Sequence, residues 1–145
     1  MRKLPEVEAA RALMAEAMAW SVMKWLREKK RVRKVADQAN AALDELNRTV
    51  KANWRHEVRD TYLAVTQSNT TRASQAVNQD LIQFIHRVQD ADDQASRARM
   101  DAERTFDEAE RLLSTSLARE GCQKAIRSWD LHEKAIRRAE TDLPA

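Results

Sequence analysis

The sequence predicts an all-α fold: a long antiparallel helical hairpin with a short third helix that forms a three-helix head. The 145 residues include one Gly and two Pro, so tight turns are few. Val77 to Ser116 carries a seven-residue apolar spacing, the a/d seam of a helix that lies along another helix. We expect a single helical domain with its head at residues 6–34 and 106–140 and a coiled-coil-like stalk at residues 35–105.

The first half of the chain predicts one helix of about sixty residues. Pro5 suits the first turn of a helix, because its missing N–H would have no partner there. Apolar residues then recur at helical spacing as far as Val65, and nothing from Glu6 to Gln67 breaks the pattern. The polar, uncharged run at residues 67–71 predicts the turn of the hairpin.

The second half of the chain predicts two further helices. The middle of the seam is rich in Ala, so it needs a partner helix with larger side chains. A fold about residue 71 supplies that partner, because positions that sum to about 142 then face each other. Gly121 predicts a break, since Gly favours the left-handed conformation at a helix end. The apolar stripe from Cys122 to Ile136 predicts the last helix.

Charge is concentrated in two segments, a basic patch in the first arm and an acidic strip in the second. The basic patch comprises Arg27, Lys29, Lys30, Arg31, Arg33 and Lys34. The acidic strip comprises Asp90, Asp92, Asp93, Asp101, Glu103, Asp107, Glu108 and Glu110. The hairpin register brings the two together, so the patch has three interpretations: pairing with the acidic strip, binding of anionic lipid, or binding of nucleic-acid phosphates.

An apolar segment rich in Met and Trp, residues 14–26, has two interpretations. It is either the core of the head or a docking face, because Met offers adaptable apolar surface and Trp is enriched at interface hot spots. With the basic patch beside it, the same segment suits the surface of a membrane. The candidate docking residues are Met14, Met18, Trp20, Met23, Trp25, Leu26 and Trp129.

Catalytic, metal and cofactor sites are not predicted. The acidic strip follows a helix flank, whereas acid–base catalysis needs carboxylates in a concave pocket. His56 and His86 face each other in the hairpin register but lack the Glu-x-x-His pairs of di-iron bundles. The single cysteine, Cys122, excludes an intramolecular disulfide framework, and no apolar run is long enough to span a membrane. We therefore expect a cytoplasmic protein.

Three functional hypotheses follow. The leading one is a non-enzymatic helical adaptor or stalk subunit that binds other proteins within a larger assembly. The second is a peripheral, membrane-associated protein that uses the Met/Trp segment and the basic patch. The third is a small nucleic-acid-binding bundle, although the acidic strip would repel a polyanion. A homodimer that pairs the arms of two chains would use the same contacts as the hairpin.

Overall fold

The computed structural model describes residues 3–67 and 79–144, and every regular element in these two ranges is an α-helix. This confirms the all-α class. The predicted hairpin turn lies outside the described residues except for Gln67, as does Val77 at the start of the seam. The helices are α1 (Pro5–Ala17), α2 (Val22–Ala52), α3 (His56–Thr66), α4 (Gln79–Leu112) and α5 (Thr115–Thr141).

The prediction of one sixty-residue helix is wrong, because the first half of the chain contains three helices. The first break precedes α2, where the hydroxyl of Ser21 accepts a hydrogen bond from the backbone N–H of Lys24 at 3.2 Å. The second break precedes α3, where the indole of Trp54 donates to the carbonyl of Ala139 at 2.8 Å. A helix cap and a long-range contact thus lie at the two breaks in a pattern that periodicity alone would continue.

The predicted break at Gly121 is also wrong, since Gly121 lies inside α5. The chain turns earlier, at Leu113, which takes the left-handed conformation with φ 50°. The backbone N–H of Ser114 donates to the carbonyl of Ala109 at 3.1 Å, and its hydroxyl caps α5. Glycine at position 121 serves helix packing instead, because a Cβ there would lie 2.7 Å from the Phe106 ring.

Helix α5 is central to the fold, with contacts to α1, α2 and α4. It runs antiparallel to α4, as the contact between Lys124 and Asp101 shows, and these two helices make the most extensive approach of any pair. Helix α2 packs on α1 and α5, and α3 packs on α4. The backbones of α2 and α4 stay apart over most of their length, so it is their side chains that connect them.

The hydrophobic core extends along α5. Towards the start of α2, Trp25 stacks on Phe106 with ring centroids 5.4 Å apart. Beyond the end of α2, Trp54 packs edge-on against Phe84 at 5.8 Å, and its indole reaches the last turns of α5. The last helix therefore lies along residues 35–105 as well, the segment that the sequence analysis assigns to the stalk.

Candidate functional site

The candidate docking residues lie mostly in the core. Four of the seven have at most 6% of their surface exposed: Met14, Trp20, Trp25 and Trp129. Met18 and Leu26 are partly buried, and only Met23 is exposed, at 65%. Residues 14–26 also belong to two helices rather than one. A partner that binds this conformation therefore meets Met23 and no continuous Met/Trp face.

The basic patch meets the acidic strip through one residue. Arg33 donates hydrogen bonds to Asp107 at 2.7 Å and to Glu110 at 3.0 Å. Arg31 pairs with Glu28 of its own helix at 3.4 Å. The remaining four cations have no anionic partner in the described chain: Arg27, Lys29, Lys30 and Lys34. Most of the patch thus stays available, along an open cavity of about 660 Å³.

The acidic strip divides into paired and unpaired carboxylates. Asp92 accepts hydrogen bonds from the ammonium of Lys51 and from the amide of Asn47. Asp101 pairs with Lys124 at 3.2 Å. Four others have no cation at ion-pair distance within residues 3–67 and 79–144: Asp90, Asp93, Glu103 and Glu108. The strip is consequently not a continuous acidic surface.

Between α2 and α4 lies an interhelical surface, here called the paired face, that ion pairs cross repeatedly. Arg33 reaches the carboxylates at the end of α4, and Lys51 reaches Asp92. Between them Asp44 accepts two hydrogen bonds from Arg99, at 2.8 and 3.1 Å. These bonds from the guanidinium hold the pKa of the Asp44 carboxyl below its usual value. Each of these charged side chains thus has a partner of opposite charge within the chain.

A buried histidine lies beneath the paired face. His132 of α5 is 8% exposed, and its Nε2 has no hydrogen-bond partner among the described residues. Burial, reinforced by the positive charge of Arg99 and opposed by Asp44 and Asp92, lowers the pKa of His132 to about 4. The imidazole is therefore uncharged at neutral pH and leaves the charge balance of the paired face unchanged.

On the outer side of α4 and α5 lies a second interhelical surface, here called the basic groove. Two adjoining cavities of about 570 and 310 Å³ form it, and both are lined by Gln94 and Leu131. Six cations and two carboxylates line the groove: Arg87, Arg97, Lys124, Arg127, Lys134, Arg138, Asp90 and Asp101. Lys124 pairs with Asp101 and Glu120, whereas the other five cations have no anionic partner in the part of the chain that the structure describes.

The close approach of α4 and α5 creates this groove. At Gly121 the Phe106 ring of α4 lies against the backbone of α5, and the two helices are in close contact. Ala91 and Ala98 of α4 are half-buried in the groove and contribute little bulk. The result is a shallow channel with a small-residue floor and cationic rims.

Sequence reasoning missed the basic groove because its cations are not consecutive. The run at residues 27–34 is visible in the sequence because its cations are neighbours in the chain. On α5 the groove cations fall at positions 124, 127, 134 and 138, a spacing that places them on one helix face. Charge periodicity along the predicted last helix was the pattern that could have revealed them.

No protein-family model, curated protein or solved structure matches the chain. None of the helices within the described ranges is both long and apolar enough to cross a membrane. Within residues 3–67 and 79–144, no three His, Cys, Asp or Glu side chains are grouped to hold a metal ion.

Proposed function

We propose that the protein is a non-enzymatic adaptor or stalk subunit in which α2 and α4 form an antiparallel hairpin. The observation that carries the proposal is that three of the four ion pairs that the described residues form between these helices share one register. The residue numbers of each of the three sum to 143, close to the 142 that the large-against-small pattern predicts. The pairs are Arg33 with Glu110, Asp44 with Arg99, and Lys51 with Asp92.

A hairpin in this register suits a spacer. Helix α4 has 34 residues, a length of about 50 Å at 1.5 Å per residue. Helix α5 supports it with 27 residues in antiparallel contact. At the other side of α5, α1 is fixed by ion pairs from Arg11 to Asp130 and Glu133. Such an assembly of helices transmits position between partners without bending freely.

The distribution of unpaired charge supports the protein-binding half of the proposal. The paired face uses its charges within the chain, whereas four cations of the basic patch and five of the basic groove have no anionic partner in the described ranges. Cations grouped on one surface create a positive potential that steers and orients an anionic partner. The proposed mechanism is binding of other proteins along helix faces.

Small-angle scattering of the purified chain tests the spacer. A compact domain of 145 residues has a radius of gyration of about 15 Å. A rod as long as α4 and about 22 Å wide, which is two helix diameters, has a radius of gyration of about 17 Å, and this is the value that we expect. A monomer with a radius of gyration of about 15 Å would contradict the proposal of a stalk. A scattering mass of two chains would instead indicate the homodimer that pairs arms between chains.

Binding to an anionic membrane surface is the second candidate, favoured by the four unpaired cations of the basic patch and by the exposed Met23. A Trp54→Phe variant tests it, because its three remaining indoles are the buried Trp20, Trp25 and Trp129. We expect blue-shifted Trp emission that anionic vesicles leave unchanged. Red-shifted emission that moves blue with vesicles, and that salt restores, would put the membrane candidate first.

A further inference from the structure

We propose that the basic groove between α4 and α5 is the docking site for an acidic amphipathic helix of a partner protein. This inference rests on the proposed adaptor function and adds the site and the chemistry of the partner. Its basis is the position of unpaired cations on both sides of a floor that a helix can approach.

The cations of the groove are arranged unfavourably for the isolated chain. Helix α4 contributes Arg87 and Arg97, and α5 contributes Arg127, Lys134 and Arg138. None of the five has an anionic partner in the described ranges. Lys134 and Arg138 stand four residues apart on one helix face, where like charges repel each other. An anionic partner relieves this repulsion, so the arrangement favours a bound state.

The floor of the groove fits a helix. Ala91, Ala98 and Leu131 are half-buried and present small or apolar side chains between the two cationic rims. Small side chains permit helix axes to approach to about 8–10 Å. Positions 124 to 138 of α5 span about 21 Å, which is about four turns of a docked helix. Apolar residues of that helix would cover the floor, and its carboxylates would reach both rims.

A helix fits these features better than a nucleic acid does. A duplex carries a charge about every 1.7 Å along its axis and presents no apolar ridge to cover Leu131. Asp90 and Asp101 interrupt the cationic rims, which opposes a continuous phosphate backbone more than a helix with spaced carboxylates. These features therefore favour an acidic helix over a nucleic acid as the ligand of the groove.

The test uses a fluorescein-labelled peptide of eighteen residues that forms a helix with Leu and Ala on one face and Glu on both flanks. The groove variant combines Arg97→Glu with Lys134→Glu, two exposed positions. The matched control combines Arg59→Glu with Arg137→Glu, exposed cations that do not line the groove. A milder variant, Arg97→Gln with Lys134→Gln, is used if the charge reversal prevents folding, as judged by circular dichroism.

Fluorescence anisotropy in dilute buffer measures the affinity of the full-length chain for this peptide. We expect the groove variant to weaken binding by more than about tenfold and the control by less than about twofold. An isomeric peptide with Glu moved onto the apolar face should also bind at least about tenfold more weakly. Equal loss in both variants, or equal binding of both peptides, would overturn the proposal.

Three further outcomes distinguish this proposal from a nucleic-acid site and from the adaptor function. Tighter binding of a 20-base-pair DNA duplex, lost in the groove variant, would assign the groove to nucleic acid and overturn the helix proposal. If the chain is rod-like but does not bind the peptide, the adaptor function stands and the proposal that the groove binds a helix is wrong. If the chain is compact and binds the peptide through the groove, the groove proposal stands and the stalk proposal is wrong.

Discussion

The paired face and the basic groove both include residues of helix α4 but differ in whether their charged side chains form ion pairs. Across the paired face, the backbones of α2 and α4 stay apart, so long side chains such as Arg33 and Arg99 meet carboxylates between them. Across α4 and α5 the backbones come close, with the Phe106 ring against Gly121, and charged side chains line the groove on the outer side. Ion pairs thus connect the helices whose backbones stay apart, whereas five of the six groove cations on the closely packed helices have no anionic partner in the described ranges.

The largest expected effect concerns His132, which the paired face covers. Its folded pKa of about 4 lies below the unfolded value of about 6.5, so the unfolded chain binds the proton first as the pH falls. The free energy of unfolding should therefore decrease from pH 6.5 to pH 4, by up to about 3 kcal/mol from this residue alone. Above pH 6.5 the residue contributes no pH dependence.

Urea denaturation of a His132→Gln variant across this pH window measures the effect. The variant should lose the part of the acid sensitivity that begins near pH 6.5, while the titration of the carboxylates remains. His86→Gln is the matched control, because His86 is exposed. If both variants flatten the pH profile equally, the buried histidine is not the cause.

The second effect tests the close approach of α4 and α5. In most helix interiors Gly→Ala stabilises by about 1 kcal/mol. At Gly121 a Cβ would lie 2.7 and 2.8 Å from two carbons of the Phe106 ring, so we expect Gly121→Ala to destabilise, by about 1–3 kcal/mol. The same change in a Phe106→Leu background should be neutral or stabilising. Stabilisation by Gly121→Ala in the native background would show that the helices are not in contact there.

The smallest effect compares one charge from each surface. Arg33→Gln removes two ion pairs of the paired face and a guanidinium that lies 5.9 Å from the centre of the Phe106 ring. We expect it to lower the free energy of unfolding by about 1 kcal/mol, because these contacts are only partly buried. Arg97→Gln, in the basic groove, should change it by less than about 0.5 kcal/mol. If urea denaturation shows that both variants lower the free energy of unfolding equally, the paired face does not contribute more to stability than the basic groove does.

Local patterns in the sequence were sufficient to predict the fold class but not the helix ends. The scarcity of Gly and Pro and the apolar periodicity act through neighbouring residues, so they indicate helices directly. Beside the break before α3, Trp54 donates a hydrogen bond to Ala139, 85 positions away, and no local pattern contains this contact. Glycine occurs both at helix ends and where two helices pack closely. Only the position of Phe106 shows that Gly121 belongs to a close contact.

The candidate surfaces were predictable to different degrees. The basic patch is a consecutive run of cations, so it is visible in the sequence. Which of these cations form ion pairs depends on which residues of α4 lie opposite them. Arg33 meets carboxylates while Lys29 and Lys30 do not, and this follows from their directions around α2. The basic groove needs the relative position of α4 and α5, which the misplaced break at Gly121 concealed.

The rate at which Cys122, the single cysteine of the chain, is chemically modified reports how often helix α5 opens. Cys122 is fully buried, and burial raises the pKa of its thiol to about 12. Alkylating reagents react with the thiolate, so the closed state is protected by both access and ionisation. Modification at neutral pH therefore proceeds through opening of the helix bundle, and its rate measures how often α5 leaves its neighbours. A partner helix that binds the closed bundle should slow this modification in proportion to its occupancy.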